Sequence, residues 1–175
     1  MALLPILEAP HPILSRKARL VADTEFGPEL VQLLNDMAET MYDAPGVGLA
    51  APQIGDSRRI LVADPNNNDD DDTPTLFKMV NPKIINKSPS LISYEESCLS
   101  VPEFYLNVKR FEELTVEWQD GLGNIHREIF SGFSAIVLQH EMDHLEGITL
   151  LDKSSKFKKS RYISRIKKQR KKARK

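Results

Sequence analysis

At 175 residues, with 41% apolar content and a formal net charge of −1, the chain is expected to form one compact domain with a proper core. No stretch approaches the roughly 18 to 20 apolar residues needed to cross a bilayer, and a lone cysteine, Cys98, excludes a disulfide within the chain and points to a reducing compartment. The near-zero charge hides a split, because all 25 acidic residues lie at or before Asp152 while 13 of the 24 Lys and Arg lie between Lys153 and Lys175.

The N-terminal MALLPILEAPHPIL lacks a basic region and is broken by Pro5, Glu8 and Pro10, so it does not read as a signal peptide. With no arginine before Arg16 it does not read as a mitochondrial-type transit peptide either. The expected location is a cytoplasm, or an organelle if a transit segment has been trimmed away. Residues 27–43 predict an amphipathic helix, with Leu30, Leu33, Leu34, Met37, Ala38 and Met41 on one face. Ala44–Pro45–Gly46 should end it. Arg59 to Asp64 reads as a short strand. Residues 65–74 read as a solvated acidic loop, whose four aspartates lack the spaced ligands and glycine of a calcium loop. Further strands are expected over Leu76–Asn81, Ser90–Glu95, Leu114–Gln119 and Ile125–Phe130, the last two joined by a Gly-rich hairpin turn at 120–124. Gly132 to Leu145 predicts a buried helix that Gly147 closes. A last helix is expected from about Ser155 into the basic tail.

The buried helix contains His140–Glu141–Met142–Asp143–His144, an H-E-x-x-H pattern. Residues i and i+4 share a helix face, so the two imidazoles can meet one cation with Glu141 beside it. Two histidines on a surface helix are the plainer reading, but Ile136, Val137 and Leu138 argue for burial, and buried histidines beside a glutamate need a partner. A catalytic ion of this kind takes three protein ligands and leaves one position open. No histidine or cysteine follows His144. His11 and His126 suit ordinary surface or structural roles, and Asp143 and Glu146 are close enough along the helix to point elsewhere. Cys98 remains, either as third ligand or as a small core residue; spacing leaves both open. The run Gly46–Val47–Gly48–Leu49–Ala50–Ala51–Pro52–Gln53 lets a backbone approach something closely, whether a packed helix or an extended ligand.

Taken together, GVGLAAPQ, ESCLS and QHEMDH resemble the three motifs of peptide deformylase, G-φ-G-φ-A-A-x-Q (φ apolar), E-G-C-x-S and Q-H-E-x-D-H, in that order and across roughly residues 5–152. The resemblance implies an α+β fold, with antiparallel sheets around a central metal-binding helix and a basic C-terminal helix or tail. It implies a catalytic domain over 1–152 followed by the basic helix or tail over 153–175. The implied activity is hydrolytic removal of the N-formyl group from the N-terminal formyl-methionine of newly synthesised peptides, with release of formate. By motif position, Cys98, His140 and His144 would hold one divalent ion, Fe²⁺ as the native metal, with Zn²⁺, Ni²⁺ or Co²⁺ as substitutes. Glu141 would be the general acid/base, Gln53 and the Leu99 N–H would meet the developing oxyanion, and Asp143 paired with Arg110 would support the ligands. Val47, Gly48, Tyr94, Ser97, Phe133, Ile136 and Val137 would line the substrate pocket. The implied partners are formyl-methionyl nascent peptides and, through the basic tail, the ribosome, with neither a membrane nor sequence-specific nucleic acid. Ser97 stands where the family has glycine, which an extended backbone would tolerate, and Lys109 stands where proline often precedes the family arginine. Two rival readings are a general metallopeptidase, from H-E-x-x-H alone, and a binding protein with a basic arm and an inactive metal site.

Overall fold

The structure, a computed structural model, describes residues 2–67 and 75–174, so residues 68–74 of the acidic loop lie outside the described residues. Helix α1 (Pro28–Asp43) begins with Pro28 in its first turn, where the missing N–H has no intrahelical partner to lose. It buries Leu30, Leu34, Met37, Ala38 and Met41, the predicted stripe without half-buried Leu33. Its last helical residue is followed by Ala44, directly before Pro45.

Seven strands follow: β1 (Gly48–Ala50), β2 (Ile60–Ala63), β3 (Phe77–Lys87), β4 (Leu91–Cys98), β5 (Val101–Phe111), β6 (Glu113–Gln119) and β7 (Ile125–Ser131). They form a five-stranded sheet in the order β1-β2-β3-β6-β7 and a β4–β5 hairpin, every pairing antiparallel. Strand β2 is apolar throughout because both its faces are covered. Ile60 and Val62 pack with the buried face of α1, while Leu61 and Ala63 pack with Ala135, Leu138, Met142 and Leu145 of helix α2 (Phe133–Leu145). Helix α2 therefore lies between the large sheet and the hairpin, and the fold is α+β with antiparallel sheets around a central helix.

Strand β3 runs six residues past the predicted end. Pro82 reads as a terminator, but the register shifts between Val80 and Lys83, and Asn81 takes a φ of 51°. This bulge absorbs the proline's missing donor. The Asn81 side chain fixes the bulge by accepting from Val21 N–H at 2.8 Å and donating to the Val21 carbonyl at 3.0 Å. Strands β1 and β5 were not foreseen as strands, β5 because Pro102 and its interleaved polar residues mask a strand buried on one face only.

Helix α3 (Lys156–Ala173) starts at Ser155, whose Oγ accepts the Lys158 N–H at 3.2 Å. It is seated by Tyr162 and Ile166, one turn apart, in a cluster with Val101, Val108, Leu150 and Leu151. The Tyr162 hydroxyl donates to the Pro102 carbonyl at 2.9 Å. The weak apolar stripe is thus enough to dock one face of a helix whose other faces carry cations.

Gly147 closes α2 at a φ of 72°, and a Cβ there would lie 2.8 Å from backbone carbons of both Ser15 and Arg16. Gly147→Ala is expected to lower unfolding free energy by about 2 kcal/mol or more, because neither backbone conformation nor space admits the methyl group. Denaturant unfolding checks this, and a wild-type midpoint would show that the Ser15–Arg16 segment yields instead.

Candidate metal centre

Helix α2 presents His140 and His144 one turn apart, with ring centroids 5.2 Å from each other. Cys98 ends β4, and its thiol reaches the same point from the hairpin. Sγ lies 3.3 Å from His144 Nε2, and one ligand atom from each of the three residues fits within 4.8 Å. Tetrahedral coordination with ordinary Zn–S and Zn–N bond lengths implies ligand–ligand edges of roughly 3.5 Å, so the cluster has the size of a single ion. The remaining candidates are engaged elsewhere. Glu146 pairs with Lys17 at 3.0 Å and Arg59 at 2.6 Å. Asp143 pairs with Arg110 at 2.6 Å. His11 caps a short turn over Pro12–Ser15, and His126 stacks on Trp118.

A residue outside the predicted set orders the ligands. Glu96 lies two residues before Cys98 on β4, and strand alternation turns both inward. Its Oε1 lies 2.8 Å from His140 Nδ1, which leaves Nε2 of that ring for the ion. The same carboxylate takes two hydrogen bonds from Arg110, at 2.8 and 2.9 Å. Glu96 is buried, and burial opposes its ionisation; the hydrogen bonds from Arg110 and His140 outweigh it and hold the carboxyl at about 2. A buried acid followed at i+2 by the cysteine was the available sequence signal.

The local field favours positive charge at the cluster. Burial disfavours a charged His140, yet its contacts with Cys98 and Glu96 raise its pKa well above the ordinary histidine value. What draws a proton there also draws a divalent cation. Burial, then the proximity of His140, holds His144 well below the ordinary value, in the neutral form a metal requires. Glu141 is buried beside the cluster, and its Oε2 has no hydrogen-bond partner among the described residues. Burial pushes its carboxyl up to about 7, against the pull of His140. Gly48 makes this placement possible, since a Cβ there would fall 2.7 Å from Glu141 Cγ and Cδ.

Gln53 belongs to a short 3-10 turn (Ala51–Ile54) directly after β1. Its Oε1 accepts the Ala50 N–H at 2.8 Å, and its Nε2 donates to Ser100 Oγ at 3.1 Å while lying 3.8 Å from Cys98 Sγ. Leu99 occupies the two-residue turn between β4 and β5, next to the thiol. Val47, Gly48, Tyr94, Ser97, Phe133, Ile136 and Val137 all line one cleft of about 450 Å³ that opens onto Cys98, His140 and Glu141. Tyr94 and Phe133 meet with ring centroids 5.2 Å apart. Ser97 is extended within β4, with no positive φ, so its side chain stands at the cleft without backbone strain.

Arg110 is the shared partner of two carboxylates. Arg110→Met should destabilise the protein by about 3–5 kcal/mol, because Glu96 is left buried and unpaired. It should also weaken metal binding by about 10- to 100-fold through loss of the His140 orientation. Denaturant unfolding and metal titration test the two effects, and unchanged values in both would remove Arg110 from this account.

Comparison with known proteins agrees with the geometry. The family profile described as polypeptide deformylase matches residues 3–160. A peptide deformylase of Erythrobacter litoralis is 42% identical, over 97% of this chain and 98% of the relative. One from Zymomonas mobilis is 43% identical, over 98% and 97%. Among solved structures, a peptide deformylase from Ehrlichia chaffeensis superposes with a TM-score of 0.89 at 33% identity, covering 98% of this chain and 99% of that one. One from Legionella pneumophila gives 0.85 at 39% identity, covering 99% of each.

Proposed function

The chain belongs to the peptide deformylase family, and on that premise we propose the division of labour by which it removes the N-formyl group from nascent peptides. The family is metal-dependent, and Cys98, His140 and His144 form a group able to hold the ion. We assign Fe²⁺ as the native ion, with Zn²⁺, Ni²⁺ or Co²⁺ able to take its place, since this mixed sulfur–nitrogen set suits all four. Held by these three residues, a divalent ion would supply Lewis-acid chemistry, acidifying water and polarising a carbonyl.

Glu141 carries the proton. Its unpartnered, buried carboxylate oxygen beside the ligand cluster is the observation that supports this reading most directly. It accepts the proton of the attacking water as the oxygen adds to the formyl carbon. It returns that proton to the methionine nitrogen as the C–N bond breaks, leaving formate and a free amine. Gln53 Nε2 and the Leu99 N–H donate to the formyl oxygen as it gains negative charge, each contributing about 3–4 kcal/mol by the precedent of other oxyanion donors. Gly48 and its neighbours on β1, an edge strand, accept the peptide as an added strand. Phe133, Ile136 and Val137 receive the methionine side chain. Residues 1–152 are the catalytic unit and 153–175 the basic extension, with a bacterial cytoplasm as the location.

Glu141→Gln is expected to keep stoichiometric metal and to lose about 10²–10⁴-fold in formate release from formyl-Met-Ala amide. Anaerobic purification, metal analysis and a formate assay on one sample measure both. Near-wild-type turnover in the metal-replete variant would sink this mechanism, and cleavage of unformylated peptides by the wild type would favour a general peptidase.

We also propose that α3 docks on ribosomal RNA. Lys159 pairs with Asp152, while Arg165 and Arg170 make only loose pairs with Glu103 and Glu8, at 4.0 and 3.9 Å. Lys167, Lys168, Lys171 and Lys172 are exposed along the same helix. Since removing α3 would uncover Leu150 and Leu151, substitution is the cleaner test. Changing those four lysines to glutamine should abolish salt-sensitive co-sedimentation with ribosomes and leave short-peptide turnover nearly unchanged. Equal co-sedimentation at low salt would rule out the docking role.

A further inference from the structure

A second cleft lies on another face of α2. His140 and Glu141 look into the metal cleft, whereas Gln139, Met142, Asp143 and Glu146 line a separate hollow of about 860 Å³. Its other walls come from residues 82–87 of β3, Leu91 of β4 and residues 109–111 of β5, together with Arg59 and Lys153. The two clefts share no lining residue among the described residues. This one has the size of a small-ligand pocket.

Its charge is opposite to that of the body around it. All 25 acidic residues lie at or before Asp152, where only 11 of the 24 Lys and Arg fall. Yet six Lys and Arg line this cleft against two carboxylates, and both carboxylates are engaged. Asp143 pairs with Arg110 and Lys153, at 2.6 and 3.3 Å. Glu146 pairs with Arg59 and Lys17, at 2.6 and 3.0 Å. Lys83, Lys87 and Lys109 are exposed and make no ion pair among the described residues.

An isolated surface lysine is ordinarily just solvated, but these three are gathered around one hollow by specific devices. The register of β3 shifts a second time, between Ile84 and Asn86, where no proline calls for it. The shift breaks the alternation that sends successive side chains to opposite faces, and residues 82–87 line the cleft without a gap. Lys87 Nζ rests 4.3 Å from the centroid of the Phe111 ring, which orients it. Lys109 stands where proline often precedes the family arginine, so this chain has a cation where the family often has none. Ile85 and Leu91 stand exposed at the same cleft. We propose that the cleft binds a nucleoside polyphosphate, with its adjacent phosphates on Lys83, Lys87 and Lys109 and its base against Ile85 and Leu91. Adjacent phosphates concentrate several charges within reach of three lysines, as an orthophosphate or a lone carboxylate does not. An RNA strand spreads its charges along an extended backbone, of which a single hollow of this size meets only a part.

The test is isothermal titration of the metal-replete full-length protein with ATP and with AMP, each with equimolar magnesium so that the catalytic ion is not stripped. At low salt ATP should fill one site, and AMP should bind about tenfold more weakly or worse. The double variant Lys87→Gln, Lys109→Gln should lose about tenfold or more in ATP affinity, since two of the three unpaired charges are gone. Both positions are exposed and outside the metal cleft, so the variant should keep its metal and its formate release from formyl-Met-Ala amide. The variant with the four α3 lysines changed to glutamine should bind ATP as the wild type does, which separates this cleft from the basic helix. No saturable ATP binding, equal affinity for ATP and AMP, or ATP binding that survives the double substitution overturns the proposal. So does a short oligouridylate bound more tightly than ATP, which would make the cleft an RNA surface.

Discussion

The site depends on one buried charge relay, Arg110–Glu96–His140. Arg110 grips Glu96 with two nitrogens and Asp143 with a third, and Glu96 in turn fixes His140 through Nδ1. The relay ties β5 to β4 and both to α2, so the hairpin that brings Cys98 and the helix that brings the histidines are held in one geometry. Charges buried this deeply are strongly unfavourable when unpaired. The arrangement therefore tolerates few alternatives, and the three ligand atoms stay together without depending on the loops around them.

A second constraint is steric. Glu141 has to be buried and close to the ligands, yet the edge strand β1 passes directly over it. Only a residue without a side chain fits at that crossing, and Gly48 supplies it. Burial pushes this carboxyl up to about 7, which on the proposed reading would let it both take and return a proton near neutrality. The same absence of a Cβ leaves the β1 edge open to an extended peptide. On the proposed reading, one glycine would serve both the proton carrier and the substrate track.

Much of this was legible in the sequence. H-E-x-x-H placed two imidazoles on one helix face, while Asp143 and Glu146 are taken up in ion pairs, His126 in stacking and His11 in a turn cap. Apolar periodicity located α1 and α2, and the fully apolar run of β2 followed from its cover on both faces. What stayed hidden was non-local. The role of Glu96 depends on a hydrogen bond across 44 residues of sequence. β3 continues past Pro82 only because Asn81 finds partners on Val21, 60 residues away. The seating of α3 needed just two side chains, too few to stand out against its many cations. Spacing alone left Cys98 undecided because a strand and a helix meet there only through tertiary packing.

The donor pattern of the site explains why a formyl group is what it should accept. A formylated terminus is neutral and presents a carbonyl oxygen, which needs donors. Gln53 is held with its Oε1 accepting from Ala50 N–H and its Nε2 directed to Ser100 Oγ and Cys98 Sγ, so the group it presents beside the thiol is an N–H donor; on the proposed reading the Leu99 N–H would add a second. An unformylated terminus is an ammonium, a group that donates only. Placed in the same position it would meet donor against donor. On the proposed reading, breaking the C–N bond leaves at the methionine nitrogen a group that offers these donors no acceptor, whereas the bound formyl group does.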